Sequence, residues 1–310
     1  MLSLKNDLIF KKVFGSENSK DITAGFLKSV LDLPEDEYES ITLLDTNTRI
    51  DKEKGKYGIL DLKLKTTRGI IINLEMQKYL MDALIQKILF YIAKMIIEQI
   101  GKSENYEKIK KVVCVVIVNN NIIPDKKYRH KITLNDEISK LVFTDLIEIH
   151  TIELKKLPKV SDNTKLYYWI KLIIAKKRGE YEMLKEKDPE IKKAVMLLEE
   201  LSEDEETRIL ADIRERAMRD EYDRHKTATR IGKEKGLREG LKKGRLEGIQ
   251  VGEAKGIITG IQKGKEEGYQ EGKLETAINL LKDGFSSENV AKYTSLSIDE
   301  INEIKRSLNF

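Results

Sequence analysis

The stretch that decides the fold is Ile59–Gln77, "ILDLKLKTTRGIIINLEMQ". Apolar and polar residues alternate on both sides of Thr67, Arg68 and Gly69, so it reads as a β-hairpin whose loop glycine can take a positive φ. Pairing Thr66 with Ile70 fixes the register and sets Lys63 opposite Asn73 and Asp61 opposite Glu75. Asp61, Lys63 and Lys65 then share a face with Asn73, Glu75 and Gln77, while Leu60, Leu62 and Leu64 share the other with Ile72, Leu74 and Met76. Carboxylates directly opposite each other repel, and each raises the other's pKa unless something positive sits between them. One divalent cation would remove the repulsion, and carboxylate oxygens suit Mg²⁺. The pattern equally describes an amphipathic hairpin with a solvated polar face, on which Lys63 and Lys65 balance the acids.

Periodicity around the hairpin predicts helices at Asp7–Phe14 and Asp21–Leu31, a strand near Ser40–Asp45, and a long helix from Asp82 to Gln99. Strands follow at Lys111–Val118, Arg129–Leu134 and Leu146–Ile152, then a helix at Lys165–Lys176. Such an order predicts an α/β fold, a mixed central sheet flanked by helices. The run "VVCVVIV" reads as a central strand buried on both faces, with Cys114 packed as a small hydrophobe.

Composition narrows the function classes. The 57 basic and 53 acidic residues leave a net charge of +4, too weak a bias to indicate nucleic-acid binding by itself. Any DNA affinity must come from local clusters such as Lys52, Lys54 and Lys56, or Lys126, Lys127, Arg129 and Lys131. A single cysteine excludes an internal disulfide and points to a reducing, cytoplasmic setting. No stretch is apolar enough to span a membrane, and the first residues lack a signal-peptide core. His130, His150 and His225 are scattered without zinc-ligand spacing, and no phosphate-binding loop or nucleophile elbow is present.

The chain changes character after Lys177. Residues 178–231 are rich in Glu, Lys and Arg and read as a charged, largely solvated helical connector. Residues 232–273 carry glycine at every fourth position from Gly232 to Gly272, eleven of the chain's 19 glycines. Each costs a helix about 1 kcal/mol relative to alanine. The strict spacing therefore leaves two readings open, close helix–helix packing through self-association or a flexible linker. Residues 274–310 read as three short helices with helix-turn-helix-like spacing, although Asp299, Glu300 and Glu303 at the last one are poorly suited to face phosphates.

The order helix, strand, "ILDLKL", turn, "IINLEMQ", long helix resembles the PD-(D/E)XK nuclease superfamily. In detail "NDLIFKKVFG" at Asn6–Gly15, "GILDLKLKTTRGIIINLEMQ" at Gly58–Gln77 and the glycine-periodic tail resemble its recombination-promoting nuclease / putative transposase family. The resemblance covers about the first 170 residues, and the tail by composition. It implies a restriction-endonuclease-like core at 1–177 with an all-helical C-terminal extension, and a Mg²⁺-dependent DNA endonuclease, with Mn²⁺ as a substitute ion. By that likeness Asp61 and Glu75 are metal ligands, joined by the Met76 backbone carbonyl, and Gln77 stands where the superfamily signature has lysine. Asp7 and Lys11 are expected near the site, and Gln86 and Tyr91 near the scissile phosphate. The glutamine lacks a cation to orient water, so either the metal carries that load or Lys63 replaces the charge. The competing reading is a catalytically weak nuclease fold that acts as a DNA-binding or self-associating scaffold through its tail.

Overall fold

The computed structural model describes residues 1–45, 61–79, 83–101 and 103–308. Ile59, Leu60 and Asp82 of the expected elements, and the Lys52, Lys54 and Lys56 cluster, lie outside them. The described chain divides into two units, Met1–Arg224 and His225–Phe310.

The first unit is built on six strands: β1 (Thr42–Leu44), β2 (Leu62–Lys65), β3 (Ile71–Gln77), β4 (Val112–Val118), β5 (Arg129–Asn135) and β6 (Val142–Glu153). They lie in the order β1-β2-β3-β4-β6-β5. The β2–β3 hairpin is antiparallel with Lys65 opposite Ile71 and Lys63 opposite Asn73, which is the register read from the sequence. Gly69 closes its loop at φ +95°, a conformation that disfavours any residue with a Cβ. The β3–β4 and β4–β6 pairs are parallel, so the C-terminal ends of β3, β4 and β6 lie along one edge of the sheet. The outer pair β5–β6 is antiparallel.

Each face of the sheet is covered differently. Helix α1 (Asp7–Phe14) is capped by Asn6, whose side chain accepts from the amides of Leu8 and Ile9. It packs with α2 (Lys20–Val30) and α4 (Lys165–Ile174) over one face, where Val113, Val115 and Ile117 meet Phe10, Phe14, Phe26 and Trp169. Phe14 lies at the centre of this aromatic group, with ring centroids 4.7 Å from Phe10, 5.3 Å from Phe26 and 5.9 Å from Trp169. The opposite face is covered by α3 (Leu84–Ile97), whose Leu84, Ile88, Tyr91, Ile92 and Met95 pack on Val112, Cys114 and Val116. Strand β4 is therefore buried on both sides throughout, Cys114 included.

The charged stretch after Lys177 departs from its reading as a solvated connector. Helices α5 (Arg178–Lys185) and α6 (Pro189–Glu203) place Tyr181, Leu184, Ile191, Ala194, Val195 and Leu198 in the same core as α1 and α4. The four α6 residues recur at i, i+3, i+4 and i+7, a stripe that faces the core while the charges between them stay in water. Pro189 at the first helical position and Asp188 at the N-cap fix where α6 begins. The next helix, α7 (Glu205–Lys282), opens against the same body, with Thr207 and Ala211 buried and the Ala211 carbonyl accepting from Asn6 Nδ2 at 2.9 Å.

In the second unit α7 is helical through the whole glycine repeat, and a Cβ added at any of those glycines would meet nothing within 4 Å. The last three "short helices" of the sequence reading are the end of α7 followed by α8 (Ser287–Thr294) and α9 (Ile298–Ser307), packed through Ala277, Leu281, Val290 and Ile301. Gly284 stops α7 at φ +84°, Ser286 caps α8, and Ser297 with Glu300 forms a capping box on α9. No helix among the described residues is long and apolar enough to cross a membrane.

Truncating a fully buried α6 leucine tests whether that helix belongs to the core. Leu198→Ala is expected to destabilise the folded chain by about 2–5 kcal/mol in urea denaturation. A change of a few tenths would fit a solvated connector instead.

Candidate active site

The hairpin register brings the two carboxylates together. Thr66 donates its amide to the Ile70 carbonyl at 3.0 Å, and hydrogen-bonded and open pairs alternate from there down the antiparallel ladder. Continued one step past Leu62 and Leu74, the register sets Asp61 opposite Glu75 in an open pair, where side chains approach most closely. Asp61 Oδ2 accepts the Met76 amide at 3.0 Å, which turns the carboxylate towards β3.

At Asn73 and Glu75 the polar face of the hairpin is buried and not solvated, while Lys65 at its other end is exposed. Asn73 and Glu75 are inaccessible, at 0% and 1% exposure, and Asn73 Nδ2 lies 3.4 Å from Glu75 Oε1. Burial, before any other cause, pushes both carboxyl pKa values above the ordinary range. For Asp61 the Lys11 charge, the Met76 amide and Lys87 pull back without cancelling it, and Asp7 adds to the rise. For Glu75 Lys87 opposes the burial while Asp61 reinforces it.

The cation at Glu75 is Lys87, a residue the sequence reading did not single out. Its Nζ lies 2.9 Å from Glu75 Oε2 and 3.5 Å from Gln77 Oε1. Desolvation would depress this lysine, yet the charge of Glu75 and its hydrogen bond outweigh that and hold the pKa above the ordinary value. Tyr91, one turn further on α3, has its ring centroid 5.3 Å from the same Nζ, within reach of a cation–π contact. Gln77 is fixed at both ends of its amide, Oε1 near Lys87 and Nε2 donating to the Tyr79 carbonyl at 3.0 Å. A lysine supplied from the helix needs only spacing on α3 to be found, four residues before Tyr91 and beside Gln86.

Lys63 is paired elsewhere. It shares the face of Asp61 but reaches Glu98 at the far end of α3, Nζ to Oε2 2.6 Å, because β2 runs under the helix away from the carboxylate pair. Gln86 is exposed on α3, and its neighbour Lys87 is the side chain that reaches the acids. Lys11 does come to the site, 3.6 Å from Asp61 Oδ1. Asp7, a turn before it, is buried and held by Arg214 of α7, whose Nε lies 3.0 and 2.8 Å from the two carboxylate oxygens. Beyond Gln77 the same helix holds Lys78 through Glu215 and stacks Tyr222 on Tyr79 with ring centroids 4.9 Å apart. Of the surface cluster at 126–131, Arg129 is tied to Asp32 and the Val30 carbonyl, and Lys131 to Glu148.

The described residues contain no group of three His, Cys, Asp or Glu side chains that could hold a metal. Neither a curated protein nor a solved structure matches the chain. A family model does, described as PD-(D/E)XK nuclease family transposase, and it aligns with residues 4–228. That span holds the sheet, both carboxylates, Lys87 and the part of α7 that carries Arg214 and Tyr222. The match covers more than half of the chain and agrees with its mixed sheet flanked by helices, and the chain belongs to the PD-(D/E)XK nuclease family transposases.

Proposed function

We propose that the protein is a metal-dependent DNA endonuclease that hydrolyses phosphodiester bonds with low sequence specificity in recombination or element mobility, working in the cytoplasm. The observation that carries the reading is the buried Asp61–Glu75 pair with Lys87 reaching it from α3.

The residues present fit a divalent ion. Two facing carboxylates whose burial opposes their charge are stabilised by a hard cation, and two carboxylates suit Mg²⁺ or Mn²⁺, which fill their other positions with water and substrate phosphate. The Met76 carbonyl is the natural third donor. In an extended strand the N–H and C=O of one residue point to the same side, and the Met76 N–H points at Asp61. When bound, the ion would supply a Lewis acid at the phosphoryl oxygen and a more acidic water.

The chain's own residues divide the remaining work. Lys87 presents a preorganised ammonium where charge develops on the phosphoryl group, the part that a lysine at position 77 plays in the superfamily signature. Gln77 holds Lys87 in place through Oε1, and the Tyr91 ring limits where the ammonium can swing. Lys11 offsets the charge of Asp61 in the ion-free protein and is placed to meet a substrate phosphate. Gln86 is left as an outer phosphate contact. Contacts to phosphate carry no base sequence, which is the ground for low specificity.

The glycine repeat supports self-association as a second property of the chain. Eleven glycines in one exposed helix cost about 10 kcal/mol relative to alanine, and glycine every fourth residue lets two helix backbones approach closely.

Three outcomes are expected. Plasmid nicking in Mg²⁺ should be abolished by EDTA, by Asp61→Ala and by Glu75→Ala, and reduced about 10²–10³-fold by Lys87→Met, while Lys63→Met leaves it within a few-fold. Nicking by Asp61→Ala equal to that of the wild type would refute the enzyme reading.

Without divalent ions, carboxyls whose folded pKa is raised favour folding most when protonated. Their contribution is full below the ordinary 3.8 of Asp and 4.5 of Glu and is lost as pH climbs through the raised values. Asp61→Asn should therefore flatten the loss of stability between pH 4 and 8 in EDTA, by about 1.4 kcal/mol for every tenfold difference in proton affinity between the folded and unfolded carboxyl, read by urea denaturation. The same pH dependence in the wild type and in Asp61→Asn would count against a buried, repelling pair.

Sedimentation of the full chain against a version ending at Arg230 should show loss of self-association in the shorter one. An unchanged mass per particle would remove the tail's role.

A further inference from the structure

The parallel strands β3, β4 and β6 end along one edge, at Gln77, Val118 and Glu153, and Lys78, Asn119, Asn120 and Lys155 lie within two residues of those ends. In open α/β sheets, ligands settle outside the carboxyl ends of parallel strands. Here that edge begins at the candidate catalytic residues. Asn119 donates its amide to the Gln77 carbonyl at 3.1 Å, and its Oδ1 accepts from Lys5 Nζ at 3.2 Å. Lys5 is therefore two hydrogen bonds from Gln77, in the turn that leads into α1 and Lys11. Next along the edge, Lys155 Nζ donates to Asn120 Oδ1 at 3.2 Å. Lys176, just past the end of α4, is exposed and close enough for its charge to act on Lys5, while its backbone amide donates to Glu180 Oε2 at 2.8 Å.

Position and pairing together mark these lysines: they stand at the carboxyl edge and have no ion-pair partner, whereas other unpaired lysines, such as Lys126, Lys127 and Lys140, are exposed elsewhere in the unit. Lys11, Lys63, Lys87, Lys111 and Lys156 each lie within ion-pair distance of a carboxylate. Among the described residues, Lys5, Lys155 and Lys176 have no carboxylate within ion-pair distance. Lys5 is half-buried, and burial followed by the charges of Lys176, Lys78 and Lys155 depresses its pKa, so it sits in an uncompensated positive field. Lys78 is answered by Glu215 and does not need another anion. Holding like charges together without an acid costs free energy, and an arriving anion recovers it.

We propose that Lys5, Lys155 and Lys176 form a phosphate-binding track at the carboxyl edge of the sheet, which seats the DNA backbone next to the phosphodiester held at Asp61 and Glu75. The proposal rests on the nuclease reading of those carboxylates and adds the direction in which the strand leaves them: past Gln77 and Asn119, along the ends of β4 and β6, towards the end of α4. Asn119 and Asn120 fix two of the three ammonium groups without neutralising them. The β5–β6 cluster read from the sequence is left out of the track, because Arg129 and Lys131 are already paired.

Counterion release gives a direct test. Each phosphate neutralised contributes about 0.9 to the slope of log K against log salt. Fluorescence anisotropy of a labelled DNA duplex, titrated with the full-length protein in EDTA across a potassium chloride series, reads affinity and slope without cleavage. The triple variant Lys5→Gln, Lys155→Gln, Lys176→Gln should bind at least about ten-fold more weakly at low salt and lose about 2 to 3 from the slope. The triple arginine variant at the same positions should keep the wild-type slope, which separates lost charge from lost folding. A control with Lys126→Gln, Lys127→Gln and Lys140→Gln removes as much charge from exposed positions elsewhere and should change the slope by less than about 1. A wild-type slope in the first triple variant, or an equal loss in the control, overturns the track. Failure of the nuclease reading looks different: no Mg²⁺-dependent nicking by the wild type, with the lysine-dependent slope intact.

Discussion

The candidate site depends on one enforced proximity, that of Asp61 and Glu75. The register that places the apolar residues of the hairpin in the core also places these acids face to face, because side chains alternate with period two and cannot be moved singly. Sliding β2 against β3 by one residue would relieve the repulsion and would turn Leu62 and Leu64 out of the core. At about 25 cal/mol per Å² of apolar surface, that loss far exceeds the cost of the repulsion. The fold thus holds the two acids in an arrangement that is unfavourable for them, and a site of stored electrostatic strain is what a hard cation relieves.

Helix α3 completes this arrangement in two ways. Its apolar face seals β3 and β4 from water, which is why Glu75 is inaccessible and its charge is penalised. The same helix then returns part of that cost through Lys87, whose ammonium meets Glu75 and Gln77 together. The strand position that carries lysine in the superfamily signature carries an uncharged hydrogen-bonding amide here, and the charge arrives from the neighbouring layer. The opening of α7 adds a third wall through Arg214, Glu215 and Tyr222, so the family's span to residue 228 matches where contacts with the site end.

Much of the architecture was legible because its signals are local. Alternation gave the hairpin and its register, and the run at Val112–Val118 gave the central strand. The errors share one physical origin, since partners distant in sequence decide them. Lys63 and Lys87 have equal claims in one dimension, and only the path of α3 over the sheet gives Glu98 to the first and Glu75 to the second. The stripe Ile191, Ala194, Val195 and Leu198 was masked by a composition rich in charge, which describes the outer face of α6 and not the inner one. The unpaired state of Lys5, Lys155 and Lys176 is likewise invisible until the ends of three strands are seen side by side.

The central claim is that the Asp61–Glu75 pair is a divalent-metal site built by register and burial. Titration of Mn²⁺ into the full chain, followed by the loss of the free-ion paramagnetic resonance signal, tests it without requiring catalysis. The account predicts saturable binding that is lost in an Asp61→Ala, Glu75→Ala double variant and retained in Lys87→Met. Equal Mn²⁺ uptake by the wild type and the double variant would contradict it.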